Sequence, residues 1–167
     1  ADVSTVNLDE YIGIAPTNNQ SYRNYMDVRL FDQVDINKAN TYVPSGTNAV
    51  EDEIKLFNEK LAANGKIDIQ LLGIGVSGHI GFNEPSEVLT AGVHVESLTE
   101  STIKANSRFF DDESLVPRYS ITMGVADIMK AEKIVLIATG LQKADAIKAL
   151  LMDDYIYTSV PATVLKM

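Results

Sequence analysis

Residues 68–85 read DIQLLGIGVSGHIGFNEP. The first seven form a short apolar run ending in glycine, the pattern of a buried parallel strand that delivers the chain into a ligand loop. Residues 133–138, KIVLIA, repeat that pattern and precede a helical stretch over 141–152, in which Ala144, Ile147, Leu150 and Leu151 are expected to face inward. Upstream, Val50, Ile54, Phe57 and Leu61 recur at helical intervals and predict a helix over 47–63, capped by Thr47 or Asn48 and stopped at Gly65. A second amphipathic helix is expected over 20–34, on Tyr22, Tyr25, Met26, Leu30 and Val34, with short strands over 3–8 and 40–43.

Strands alternating with helices imply an α/β fold, a doubly wound and mostly parallel sheet of Rossmann-like type, in which ligands sit at the carboxyl ends of strands. Asp9 and the loop after Gly73 both fall at such ends. A chain of 167 residues fits one catalytic domain over 1–167. It begins without Met, and its last residues, ATVLKM, read as a strand just starting, so the expectation is a domain incomplete at both ends.

The net charge of −9 argues against a nucleic-acid or anionic-membrane surface, since neither is approached without clustered cations. A single phosphate remains within reach of a few local Lys and Arg. There is no Cys, hence no disulfide and no thiolate metal site, which fits a reducing cytoplasm. No run of 18 apolar residues and no signal-peptide pattern occurs.

The glycine loop admits several readings. Gly73, Gly75 and Gly78 match a dinucleotide fingerprint, but residues 79–85 do not open the helix that would receive a pyrophosphate. Gly75, Ser77 and His79 nearly fit a nucleophile elbow, with His79 where the small final glycine belongs. Ser77 and His79, two apart, are expected to point to opposite sides of an extended loop. His79 reads either as a polar loop residue or as a proton carrier oriented by Glu84, and with only two histidines a metal cluster is not expected.

Four blocks of this chain resemble, in order, those of the glucosamine-6-phosphate deaminases, also called isomerases. Residues 7–11, NLDEY, are similar to N-[ML]-D-E-Y; residues 73–85 to G-x-G-x-[DN]-G-H-I-[AG]-F-N-E-P; residues 105–110, ANSRFF, to A-N-[SA]-R-[FY]-F; and residues 140–144, GLQKA, to G-x-x-K-A. The resemblance implies the deaminase/phosphogluconolactonase type of three-layer sandwich. It also implies a cofactor-free conversion of glucosamine 6-phosphate to fructose 6-phosphate and ammonia, by ring opening and C2-to-C1 proton transfer. By the same resemblance Asp9 takes the C2 proton, His79 with Glu84 opens the ring, Gly75 and Gly78 shape the loop backbone, and Arg108 and Lys143 hold the phosphate.

Two departures stand out. Ser77 replaces the family's Asp or Asn beside the histidine, which predicts slower ring opening or a different epimer preference. His94 and Glu96 stand where allosteric, hexameric members carry Arg and Lys, which predicts no activation by N-acetylglucosamine 6-phosphate and a monomer or low-order homo-oligomer. The alternatives are a galactosamine-6-phosphate deaminase/isomerase, a 6-phosphogluconolactonase, disfavoured by Phe82-Asn83-Glu84-Pro85, or a non-catalytic sugar-phosphate sensor.

Overall fold

A computed structural model describes residues 2–152 and 154–167. In chain order it contains β1 (Thr5–Val6), β2 (Asp9–Tyr11), α1 (Tyr22–Met26), β3 (Thr41–Tyr42), α2 (Val50–Asn64), β4 (Ile69–Gly73), β5 (His94–Ser97), α3 (Glu100–Asn106), β6 (Tyr119–Thr122), α4 (Val125–Met129), β7 (Lys133–Ile137) and α5 (Ala144–Met152). The chain divides into two compact units, Ala1–Gly65 with Ser97–Ile121, and Lys66–Glu96 with Thr122–Met167.

In the first unit, β1 runs parallel to β3, with Thr5 opposite Thr41 and Val6 opposite Tyr42, while β2 and β6 are sheet neighbours. Of the strand expected over 3–8 only Thr5–Val6 forms; the chain breaks at Asn7 and Leu8, and Asp9, expected at a strand's carboxyl end, instead opens a second strand. Helix α2 forms on the expected spacing, with Phe57 fully buried and Gly65 closing it at φ 68°. Its cap differs: Ala49 holds the N-cap position, and Asn48 instead donates its amide to the buried Glu53 at 2.6 Å. Glu53 also accepts from the Tyr42 hydroxyl at 2.6 Å and the Ser45 N–H at 3.0 Å, so this carboxylate ties β3 to the start of α2.

The amphipathic helix expected over 20–34 is corrected in its second half. After α1 the chain makes one π-helical turn over Asp27–Phe31. The wider turn slips the side-chain register, so Phe31 is buried at 2% exposure while Tyr25, Leu30 and Val34 face solvent.

In the second unit, β4 and β7 pair in parallel, from Ile69 opposite Lys133 to Gly73 opposite Ile137. Of the runs expected to be buried, β4 is buried on one face only and β7 is only partly buried on one face. Gln70 and Leu72 point inward, whereas Ile69 (64% exposed), Leu71 (58%), Val135 and Ile137 line the solvent side. Helix α5 begins with a 3-10 turn over Leu141–Lys143, and Ala146 is its buried residue; Ala144 and Leu151, expected inside, are exposed. The terminal segment is likewise not a strand. Pro161–Lys166 forms a 3-10 helix, with Pro161 supplying a pre-set φ at its first turn, and Ala162, Thr163 and Val164 are buried.

Candidate active site

The glycine loop is folded by its own backbone. The Gly78 N–H donates to the Gly75 carbonyl at 3.1 Å and the Gly75 N–H to the His79 carbonyl at 2.9 Å. Gly78 takes φ +79°, a left-handed conformation that glycine adopts without strain. This turn brings Ser77 and His79 to the same side, correcting the expectation from an extended loop: Ser77 Oγ lies 3.2 Å from His79 Nδ1. Gly75 is required for a second reason. A Cβ there would lie 2.3 Å from His79 Nε2, inside the ring's own space. No helix follows the loop before β5, as the sequence implied.

His79 Nδ1 also lies 3.2 Å from Glu84 Oε2, and Glu84 is 3% exposed. An ionised carboxylate only accepts, so Nδ1–H donates to it and the Nε2 lone pair is left to take or return a proton. Asn83 fastens the loop, its amide donating to the Ile80 and Met123 carbonyls at 2.9 Å each, while the Phe82 N–H donates to Thr122 Oγ1 at 3.2 Å. The rigid support is what lets a loop hold an imidazole to one orientation.

The same unit carries a second imidazole–carboxylate pair. His94 Nδ1 faces the Gly92 carbonyl at 2.9 Å and His94 Nε2 faces Glu96 Oε2 at 3.0 Å. Both ring nitrogens thus face oxygen atoms, so the ring bridges the Gly92 carbonyl and the Glu96 carboxyl. Burial raises the Glu96 carboxyl above its ordinary value; His94 opposes that, and the Glu84 charge adds to it. Glu96, expected simply to repel an effector phosphate, is engaged internally by His94.

Asp9 opens β2 in the first unit. Burial, with the Glu10 charge second, pushes its carboxyl up to about 7, the range in which a carboxyl can both accept and return a proton. Glu10, which sequence reasoning assigned no role, is buried and accepts four hydrogen bonds: from the Tyr11 N–H at 2.9 Å, the Ser21 hydroxyl at 2.6 Å, and the Tyr22 and Arg23 N–H groups at 3.1 Å. Tyr11 stacks on Tyr22 with centroids 5.3 Å apart and accepts from the Asn106 amide at 2.8 Å.

Arg108 belongs to this first unit, in a 3-10 turn over Ser107–Phe109 that follows α3; it is exposed, with its guanidinium 4.6 Å from the Phe109 ring centroid. Lys143 belongs to the second unit, in the 3-10 turn over Leu141–Lys143 that opens α5, with its N–H donating to the Gly140 carbonyl at 3.1 Å. The structure therefore joins Ser77, His79 and Glu84 directly, and places Asp9 and Arg108 in one unit and Lys143 in the other. Among the described residues no group of three or more His, Asp or Glu is placed to hold a metal ion, and no helix is long and apolar enough to cross a membrane.

Residues 3–167 match the family described as glucosamine-6-phosphate isomerases/6-phosphogluconolactonase. A glucosamine-6-phosphate deaminase of Clostridium perfringens (strain 13 / Type A) is 50% identical over 166 residues, 99% of this chain and 68% of that protein. One from Clostridium beijerinckii is 50% identical over 168 residues, 100% of this chain and 69% of its own length. A solved structure of a monomeric glucosamine-6-phosphate deaminase superposes with TM-score 0.94 at 38% identity, over 99% of this chain and 68% of that one. A 6-phosphogluconolactonase from Thermotoga maritima, at 16% identity and TM-score 0.71 over 96% of this chain and 66% of its own, shares the fold alone. The doubly wound, mostly parallel α/β class expected of the sequence is the class of these structures.

Proposed function

This chain belongs to the glucosamine-6-phosphate isomerase/6-phosphogluconolactonase family, and from that premise we propose that it is a glucosamine-6-phosphate deaminase, converting the amino-sugar phosphate and water to fructose 6-phosphate and ammonia. The observation that carries the reading is the Ser77–His79–Glu84 contact, because it builds a proton carrier where ring opening needs one. His79 Nε2 returns a proton to the ring oxygen as the pyranose opens, and Glu84 stabilises the imidazolium between transfers.

Asp9 then removes the C2 proton as a carboxylate and delivers it to C1 as the neutral acid. One group must hold both forms in a cycle, and a carboxyl raised to about 7 does so near neutrality. The resulting imine takes up water and releases ammonia. Arg108 offers a bidentate fork and Lys143 a point charge for the substrate phosphate. Ser77 contacts the imidazole but brings no negative charge, so ring opening is slower than an Asp at that position would give. Asn83 and Glu84 within the FNEP stretch support the deaminase over the lactonase activity, and Asp9 with His79 and Glu84 gives an acid–base set that a sugar-phosphate sensor would not need.

The test is turnover. Asp9→Asn lowers ammonia release from glucosamine 6-phosphate by about a thousandfold, and undiminished turnover in that variant, or fructose 6-phosphate formed without ammonia, refutes the reading. Galactosamine 6-phosphate competed in the same assay decides the epimer. A monomer or low-order homo-oligomer is proposed from the monomeric deaminase it resembles, checked by sedimentation, and a cytoplasmic location, checked by fractionation.

A further inference from the structure

Glu10 is a carboxylate fixed before any substrate arrives. Ser21 Oγ accepts from the Arg23 and Asn24 N–H groups, so its own proton goes to Glu10. The other three partners are backbone N–H groups and can only donate. Four donors match an ionised carboxylate and leave no role for a carboxyl proton. Three of the bonds span from β2 to the start of α1, eleven to thirteen residues on, and pin the strand carrying Asp9 to the helix.

Neighbours in a strand point to opposite faces. Glu10 therefore does not share a proton with Asp9 as a facing carboxyl pair would. It acts through the common backbone and through its charge. We propose that Glu10 is the positioning residue of the Asp9 base, pinning its strand to the start of α1 through three hydrogen bonds and setting a fixed negative charge beside it.

The inference rests on the assignment of Asp9 as base. The groups that interact with Asp9 support it: Tyr11 and Tyr22 are neutral phenols raised by burial, the Arg23 guanidinium is turned to Asp27 at 2.9 Å, and Glu10 is the charged group acting on Asp9. Burial accounts for the larger part of the Asp9 rise and Glu10 for the remainder. The proton balance of the reaction is unchanged, with one proton moving from C2 to Asp9 and from Asp9 to C1.

The experiment combines carboxyl-carbon NMR titration of Asp9 without substrate and the pH profile of kcat. In Glu10→Gln the Asp9 midpoint falls by about one pH unit and the acid limb of kcat moves with it. An unmoved midpoint overturns the inference. Glu10→Asp keeps the charge but shortens the reach. Its Asp9 midpoint stays high, while kcat falls about tenfold with KM unchanged; a wild-type kcat overturns the positioning claim even where Glu10→Gln fails to fold. Asp9→Asn separates the two failures. If that variant turns over normally, the base assignment is wrong; if it is inactive while the Glu10→Gln profile stays put, only the inference about Glu10 is wrong.

Discussion

Two carboxylates in this molecule stand beside another titratable group, Glu84 beside the His79 imidazole and Glu10 beside the Asp9 carboxyl, and they meet it in different ways. Glu84 meets the His79 imidazole directly at 3.2 Å and fixes its orientation by a hydrogen bond. Glu10 stands beside another acid and favours that acid's protonated, neutral form. One carboxylate acts by direct contact, the other through charge and a shared backbone. The supports differ as well. The imidazole depends on a glycine turn and the acid on a strand pinned to a helix start. What a buried anion does is set by the neighbour it is given.

The largest expected effect breaks the imidazole side. Gly75→Ala drives a methyl group into the His79 ring, and ammonia release falls by at least about a hundredfold, with His79→Gln giving a similar loss. A Gly75→Ala protein with normal turnover means the ring is not held as described. On the acid side, stability changes with pH. Asp9 titrates near 7 in the folded state against 3.8 when unperturbed, so between those values the folded chain keeps a proton that the unfolded chain has released. Stability is then full below about pH 4 for this group and declines as pH rises through 7, by about 4 kcal/mol. Urea unfolding of wild type and Asp9→Asn checks this: the variant gains stability relative to wild type as pH rises from 5 to 8, and parallel curves count against it.

A smaller effect sharpens the same contrast. Ser77→Asp places a second anion on His79 and raises turnover a few-fold where ring opening limits the rate. No gain separates Ser77 from that step. His94→Asn frees Glu96 beside the Glu84 charge and shifts the basic limb of the kcat profile by a few tenths of a pH unit, with kcat at the optimum nearly unchanged. A shift above one unit makes the second pair part of the proton path.

Local chemistry explains which parts could be read ahead. Helix α2 followed from apolar spacing at the helical period, and strands β4 and β7 from short apolar runs, although those runs alternate in exposure instead of lying wholly buried. The π turn at Asp27–Phe31 has no such signature, and it moved the buried position from Leu30 to Phe31. In the site, His79, Glu84 and Asp9 could be named from motif blocks. The Ser77 contact could not, since it depends on the sign of φ at Gly78. Glu10 was missed because its partners lie up to thirteen residues away and three of the four are backbone groups that carry no residue-type signal. A Ser at 21, capping α1 and buried, is the one side chain that hinted at a partner.

The solvent side of β4 and β7 has a practical consequence for anyone handling the protein. Ile69, Leu71, Val135 and Ile137 form a contiguous greasy ridge on two strands in register. Strongly excluded salts raise the free energy of such a surface. Ammonium sulfate should therefore salt this chain out early for its charge of −9, and cold, dilute, low-sulfate buffers should hold it in solution.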